Sequence, residues 1–191
     1  MRLVDKLLDK CERDGVLEKE EEDIIRFGIE NLINLVICLG ILLCIGWIFD
    51  SLLSGILFFM FFLPLRKYAG GYHSNTEKGC IISSVAILLL VFSIFFLERW
   101  NMVVYLIISA LCNVLFFFMV PVGNKNKLLD ELEKAVYRRK TCKVLIGENL
   151  CILFSYYKNL YFIICIVVMV YVTVGILLIL GRIDNRKMIG R

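Results

Sequence analysis

The chain has 191 residues, of which 60% are hydrophobic and 21% are charged, and its formal net charge is +4. This apolar fraction exceeds that of an ordinary globular domain and indicates an all-α, polytopic membrane protein. The chain has one histidine and eight cysteines without a C-x-x-C pair, so we expect reduced thiols, no metal site and no cofactor.

Residues 1–31 form a charged segment with apolar residues at helical spacing. It carries ten acidic and six basic residues, so it does not resemble a secretory signal peptide. We expect an amphipathic N-terminal arm that lies at the cytoplasmic membrane surface through apolar burial or protein contact.

Six apolar segments follow the arm. A spanning helix needs about 20 residues, and two of the segments, 52–65 and 144–157, are shorter. With six crossings and a cytoplasmic N-terminus, 20 of the 22 Lys and Arg residues lie on the cytoplasmic side. This asymmetry favours about six transmembrane helices and places both termini in the cytoplasm. The predicted spans are 32–49, 52–65, 81–97, 103–122, 144–157 and 160–180.

Two polar segments flank the later spans on the predicted cytoplasmic side. Residues 124–143 carry a net charge of +4 and predict a cytoplasmic loop helix, with Asn126 as a possible N-cap and basic residues near its end. Residues 181–191 form a basic cytoplasmic tail.

A polar island, RKYAGGYHSNTEKGC at 66–80, separates the second and third spans and contains His73 and Cys80. If 73–80 is helical, with Ser74 as the N-cap, the seven-residue spacing places both side chains on one helix face. An imidazole that takes the thiol proton yields a nucleophilic thiolate, as in a cysteine protease. The alternative is an interfacial His and a Cys that only packs, and spacing alone favours that reading.

The stretch R-K-Y-A-G-G-Y-H with a cysteine seven residues after the histidine resembles the accessory gene regulator B (AgrB) family. These are membrane endopeptidases that process quorum-sensing peptide precursors. The resemblance implies that His73 and Cys80 are the catalytic dyad and that Arg66 and Gly71 match positions needed for activity. It also places Lys125 and Lys127 in the family's basic region, although Asn126 interrupts the run of lysines.

The resemblance also implies a substrate, an AgrD-like precursor with an amphipathic leader, a central Cys or Ser and an acidic C-terminal tail. Its removal through a Cys80 thioester gives a thiolactone or lactone ring. We expect a multi-pass protein of the bacterial cell membrane, with the lipid bilayer and the precursor as partners, a homodimer by resemblance, and no nucleic acid. The residues expected to contact the precursor are Arg66, Lys67, Gly70, Gly71, Lys125, Lys127, Arg138, Arg139 and Lys140.

The resulting domain scheme has three parts: the arm 1–31, a transmembrane peptidase domain 32–180 that includes the catalytic loop 66–80 and the basic loop 124–143, and the tail 181–191. A non-enzymatic peptide exporter or scaffold is the alternative function. The apolar segments contain no charged pairs and no matching Gly- or Pro-broken halves, so the sequence gives a transporter site little support.

Overall fold

A computed structural model describes residues 22–48, 52–72, 77–97, 101–123 and 130–189. The described residues form six α-helices and no strand, which agrees with the all-α prediction. Gly70 and Val122 form an isolated parallel bridge. The helices are α1 (Glu22–Ile48), α2 (Leu52–Ala69), α3 (Glu77–Leu97), α4 (Met102–Met119), α5 (Glu131–Tyr157) and α6 (Tyr161–Ile189).

The chain divides into two units, Met1–Ile41 and Leu42–Arg191. In the first unit the described part is the beginning of α1, and residues 1–21 of the predicted arm lie outside the described residues. Helix α1 continues without a break past the predicted boundary at residue 31. The three-part domain scheme stays a prediction.

Helix α6 lies at the centre of the second unit and packs against α2, α3, α4 and α5. Its sequence from Tyr161 is apolar on all sides over several turns, as expected for a helix surrounded by other helices. The ring of its buried residue Tyr171 meets Phe116 of α4 edge to face, with centroids 5.5 Å apart.

Three helices contain stretches that are long and apolar enough to cross a membrane, namely Leu52–Ala69, Met102–Met119 and Tyr161–Asn185. Helix α3 contributes a shorter apolar stretch, Ile82–Ile94. The count of six spans is therefore not confirmed within the described residues. The segment predicted at 52–65 gains length because α2 continues past Pro64 through Arg66 and Lys67.

The described part of the loop helix predicted at 124–143, from Glu131 onward, and the span predicted at 144–157 belong to one helix, α5, which is 27 residues long. The change from charged to apolar residues near Lys143 suggested two elements, but it includes no residue that ends a helix. The N-cap is Asp130, whose side chain accepts a hydrogen bond of 2.6 Å from the Glu133 backbone N–H. Asn126, the predicted cap, lies outside the described residues.

Candidate active site

The chain leaves α2 through a tight turn that precedes the predicted catalytic histidine. Gly70 and Gly71 have φ values of 75° and 123°, a region that favours glycine, so α2 ends at Ala69. The Gly70 N–H still donates to the Arg66 carbonyl over 3.2 Å, which completes the last helical turn. The two glycines thus form a sharp turn at the end of α2.

Backbone hydrogen bonds hold this turn between two other parts of the fold. The Gly71 N–H donates to the Val122 carbonyl over 3.3 Å, and the Val122 N–H donates to the Ala69 carbonyl over 3.0 Å. The Tyr72 N–H donates to the Leu177 carbonyl of α6 over 2.8 Å. The chain just before His73 is therefore attached both to the segment after α4 and to α6.

The Arg66 guanidinium also stabilises the turn. It donates to the carbonyl of Gly70 and, over 2.6 Å, to the carbonyl of Tyr72. The side chain is half-buried, and hydrogen bonds from a charged donor are roughly twice as strong as neutral ones. Arg66, predicted from the sequence as a functional position, thus fixes the backbone that leads to His73.

Gly181 of α6 permits the close approach of the turn. A Cβ atom at this position would lie 2.7 Å from the Tyr72 nitrogen and 2.8 Å from the Gly71 carbonyl carbon. One turn further along α6, the Asn185 side chain donates to the Gly123 carbonyl over 3.0 Å. Leu177, Gly181 and Asn185 recur at four-residue spacing, so they share the face of α6 that contacts the turn and the segment after α4.

Gly181 and Asn185 were not predicted from the sequence as supports of the site. Their four-residue spacing at the end of the last apolar segment was a signal for a shared helix face. Their proximity to the 69–72 turn depends on tertiary packing, and the spacing of residues within one helix does not predict how that helix packs.

The predicted dyad is incompletely described. His73 and Ser74 lie in 73–76, outside the described residues, and α3 begins at Glu77. Cys80 belongs to the first turn of α3, and its side chain lies outside the description. Lys125 and Lys127 are also outside the described residues. The dyad and these two lysines stay predictions.

Two predicted substrate-contacting lysines from different helices meet at one aromatic ring. The Lys67 Nζ atom of α2 lies 5.7 Å from the Tyr68 ring centroid, and the Lys140 Nζ atom of α5 lies 5.4 Å from it. Both distances fall within the range of a cation–π contact. The Tyr137 ring packs beside Tyr68 with centroids 6.3 Å apart. We call Lys67, Tyr68, Tyr137 and Lys140 the basic aromatic cluster.

Arg138, which was grouped with Lys140 in the sequence, contacts a different helix. Its guanidinium carbon lies 5.3 Å from the Phe117 ring centroid of α4, and one of its nitrogens donates to the Phe117 carbonyl over 3.4 Å. Arg139 is exposed. The basic run 138–140 therefore does not form one surface, because neighbouring residues of a helix point in different directions.

A carboxyl group is buried in the core, at a position far along the chain from the predicted dyad residues. Glu148 of α5 is 4% exposed and lies near the hydroxyl of fully buried Tyr171 on α6. Within the described residues, their side-chain oxygens have no partner at hydrogen-bonding geometry. The sequence showed the acid inside an apolar segment but did not indicate its neighbour.

The comparisons with known proteins identify the family of the chain. The family model described as "Accessory gene regulator B" matches residues 2–179. The chain belongs to the AgrB family. This match includes the turn at 69–72, all of α2 and α6 as far as residue 179, and it ends before Gly181 and Asn185.

Two similar relatives of the AgrB family come from Clostridium perfringens. "Putative AgrB-like protein 2" of strain 13 / Type A is 30% identical over 148 residues, which cover 73% of this chain and 69% of the relative. "Putative AgrB-like protein" of strain SM101 / Type A is 32% identical over 137 residues, covering 67% of this chain and 64% of the relative. No solved structure matches.

Proposed function

We propose that this AgrB family member is a membrane-embedded cysteine endopeptidase that removes the C-terminal tail of an AgrD-like precursor and closes the remaining peptide into a ring. The observation that carries the proposal is the turn at 69–72. Arg66 and α6 fix the backbone up to the residue before His73, and this turn belongs to the sequence stretch that resembles the family. A preorganised backbone of this kind suits a catalytic side chain, which has to be held in a defined position.

In the proposed first step, His73 takes the Cys80 proton and the thiolate attacks the carbonyl carbon of the peptide bond before the tail. The sulfur–carbon bond forms, the carbon–nitrogen bond breaks, and protonated His73 gives its proton to the leaving amine. The tail departs with a new N-terminus, and the signal segment remains on Cys80 as a thioester.

In the proposed second step, the precursor's own thiol loses its proton and attacks the thioester. A new thioester bond forms within the peptide, the bond to Cys80 breaks, and the Cys80 thiolate recovers a proton. This exchange retains the activated acyl group, whereas water would hydrolyse it, so the site has to exclude water during the step. A serine in the precursor would give a lactone by the same route.

The basic aromatic cluster is the proposed contact for the acidic tail. Lys67 lies three residues before Gly70 in the same strongly held segment, and Lys140 joins it from α5. A tail carboxylate placed between the two ammonium groups would be attracted by both of them. The amphipathic leader would keep the precursor at the membrane surface. This arrangement requires the cluster to face the cytoplasm.

The proposed topology is multi-pass, with both termini in the cytoplasm. Arg66, Lys67, Arg138 and Lys140 gather at the end of the helix bundle where α2 and α4 end and α5 begins, and the positive-inside pattern assigns that end to the cytoplasm. Reporter fusions after residues 75, 100, 130 and 191 test it. An extracytoplasmic signal at 75 would contradict the topology and the access of a cytoplasmic precursor to His73.

The decisive experiment co-expresses the chain with its precursor and follows tail removal by mass spectrometry. We expect Cys80→Ala and His73→Ala to abolish processing, with Cys142→Ala as the matched control that retains it. Intact processing by Cys80→Ala would contradict the peptidase and favour an exporter or scaffold.

The buried pair of Glu148 and Tyr171 gives the exporter alternative its own test, because ionisable groups in transport pathways are often found inside helix bundles. If the pair serves only the fold, Glu148→Gln should leave both tail removal and the amount of external peptide unchanged. Normal tail removal with loss of external peptide would support an additional export role.

A further inference from the structure

A groove with a volume of about 330 Å³ separates α4 from α5. Phe116 and Val120 line it from the α4 side, and Leu145 and Ile146 line it from α5. Ile146 is 60% exposed, so apolar surface continues from the groove onto the outside of the helix pair. An apolar opening of this kind is suited to a lipid chain.

Two asparagines pair across the groove, and none of their amide N–H groups remains available to an occupant. Asn113 donates to the Asn149 side-chain oxygen over 3.1 Å, and Asn149 donates back to Asn113 over 2.9 Å. The second N–H of each amide donates to the backbone of its own helix, at Ser109 and Leu145. Because all four amide N–H groups are used, an occupant of the groove meets mainly apolar atoms.

Arg138 supplies a positive charge to the lining of the same groove. Its planar guanidinium rests against the Phe117 ring and makes only a long, 3.4 Å hydrogen bond to the Phe117 carbonyl. Among the described residues, no carboxylate pairs with it. A guanidinium has five N–H donors and binds phosphate through two parallel hydrogen bonds, so Arg138 retains donors for an anionic group.

We propose that this groove binds one acyl chain of an anionic phospholipid, with the lipid phosphate on Arg138. The volume lies at the lower end of the range of ligand pockets, about 300–1,000 Å³, which suits one chain better than a whole lipid. A zwitterionic headgroup would bring its own cation toward Arg138, so an anionic headgroup is favoured. This inference does not rest on the peptidase activity.

The test uses the full chain in nanodiscs of equimolar phosphatidylglycerol and phosphatidylcholine with identical acyl chains. Native mass spectrometry measures which lipid stays bound. We expect the wild type to retain phosphatidylglycerol preferentially. Arg138→Gln should reduce that preference about fivefold, because one cation near the membrane surface contributes about 1 kcal/mol to the binding of an anionic lipid. Arg139→Gln removes the same charge from the next residue and should retain the preference.

A second pair of variants tests the acyl-chain part of the proposal. Leu145→Trp should fill the groove and reduce retention of both lipids, whereas Leu150→Trp, on the exposed surface of α5, should leave retention unchanged. Cys142 also lines the groove and reports on occupancy. Phosphatidylglycerol should slow its alkylation relative to phosphatidylcholine in the wild type and not in Arg138→Gln.

Three results would overturn the lipid assignment. The first is an equal loss of preference in Arg138→Gln and Arg139→Gln, which would indicate only a diffuse surface charge. The second is displacement of the bound lipid by a synthetic acidic peptide in an Arg138-dependent manner, which would assign the groove to peptide. The third is crosslinking of two copies through Cys142 with no lipid effect, which would assign this face to a dimer.

Discussion

The 69–72 turn and the basic aromatic cluster are neighbours along the chain, but different kinds of interaction hold them together. Backbone hydrogen bonds, the Arg66 guanidinium and the close approach of Gly181 hold the turn. Exposed Lys67 and Lys140 over the Tyr68 ring form the cluster, where water and salt weaken each contact. Substitutions in the turn should therefore have large effects that resist salt, and substitutions in the cluster should have small ones that salt removes.

The largest effect is expected for Gly181→Ala. The added Cβ would collide with the Tyr72 nitrogen and push 71–72 away from α6, and a displacement of about 1 Å near a reacting group can reduce the rate about 10²-fold. We expect a loss of this order in kcat for tail removal, with little change in KM. The assay uses purified protein and precursor.

Gly147→Ala is the matched control, because a Cβ there meets no atom within 4 Å. Replacing an exposed helical glycine with alanine stabilises a helix by about 1 kcal/mol, so this variant should process precursor normally and melt no lower than wild type. Equal activity of the Gly181 and Gly147 variants would contradict the role of the close contact.

A smaller but still large effect is expected for Arg66→Gln. The change removes the charged donor shared by the Gly70 and Tyr72 carbonyls, and hydrogen bonds to charged groups contribute about 1.5–3 kcal/mol. We expect kcat to fall at least about tenfold, since 1.4 kcal/mol corresponds to a factor of ten. Arg66→Lys should recover only part of the activity, because an ammonium lacks the planar fork.

Hydrogen exchange distinguishes this positioning role from a direct substrate contact. If Arg66 holds the turn, the Gly71 and Tyr72 amides, which donate to Val122 and Leu177, should exchange faster in Arg66→Gln without any substrate present. Unchanged exchange together with a raised KM would instead place Arg66 in substrate binding.

The smallest effect is expected for the double variant Lys67→Glu and Lys140→Glu. Exposed ion pairs contribute about 0.2–1 kcal/mol each, so at the middle of that range the two changes should raise apparent KM by about eightfold, with kcat unchanged. The rise should fade at high salt because the charges are screened. Arg139→Glu, an exposed charge outside the cluster, is the control and should change KM less.

A salt-independent fall in kcat for the lysine variant would remove the difference between the two regions. It would mean that the cluster supports the turn through packing of Tyr68 and Tyr137 and does not act through charge. Thermal melting of the purified variants separates these explanations.

The sequence by itself determined the helical class, the turn after α2 and the location of the motif. Local chemistry sufficed in each case: long apolar segments form helices in a membrane, and Gly70-Gly71 permits positive φ angles. The sequence suggested a loop helix at 124–143 and a span at 144–157, and from Glu131 onward the two are one helix, α5, because a change from charged to apolar residues does not stop a helix.

Tertiary structure decided which of these local features meet. Arg66 binds the carbonyls of its own turn, Gly181 admits that turn against α6, and Lys140 points to α2 while Arg138 points to α4. Helical periodicity assigns residues to faces of one helix, but it contains no information about the neighbour of each face. That information comes from the packing of α2, α4 and α5 around α6, because only packing brings residues that are distant in sequence within a few ångströms.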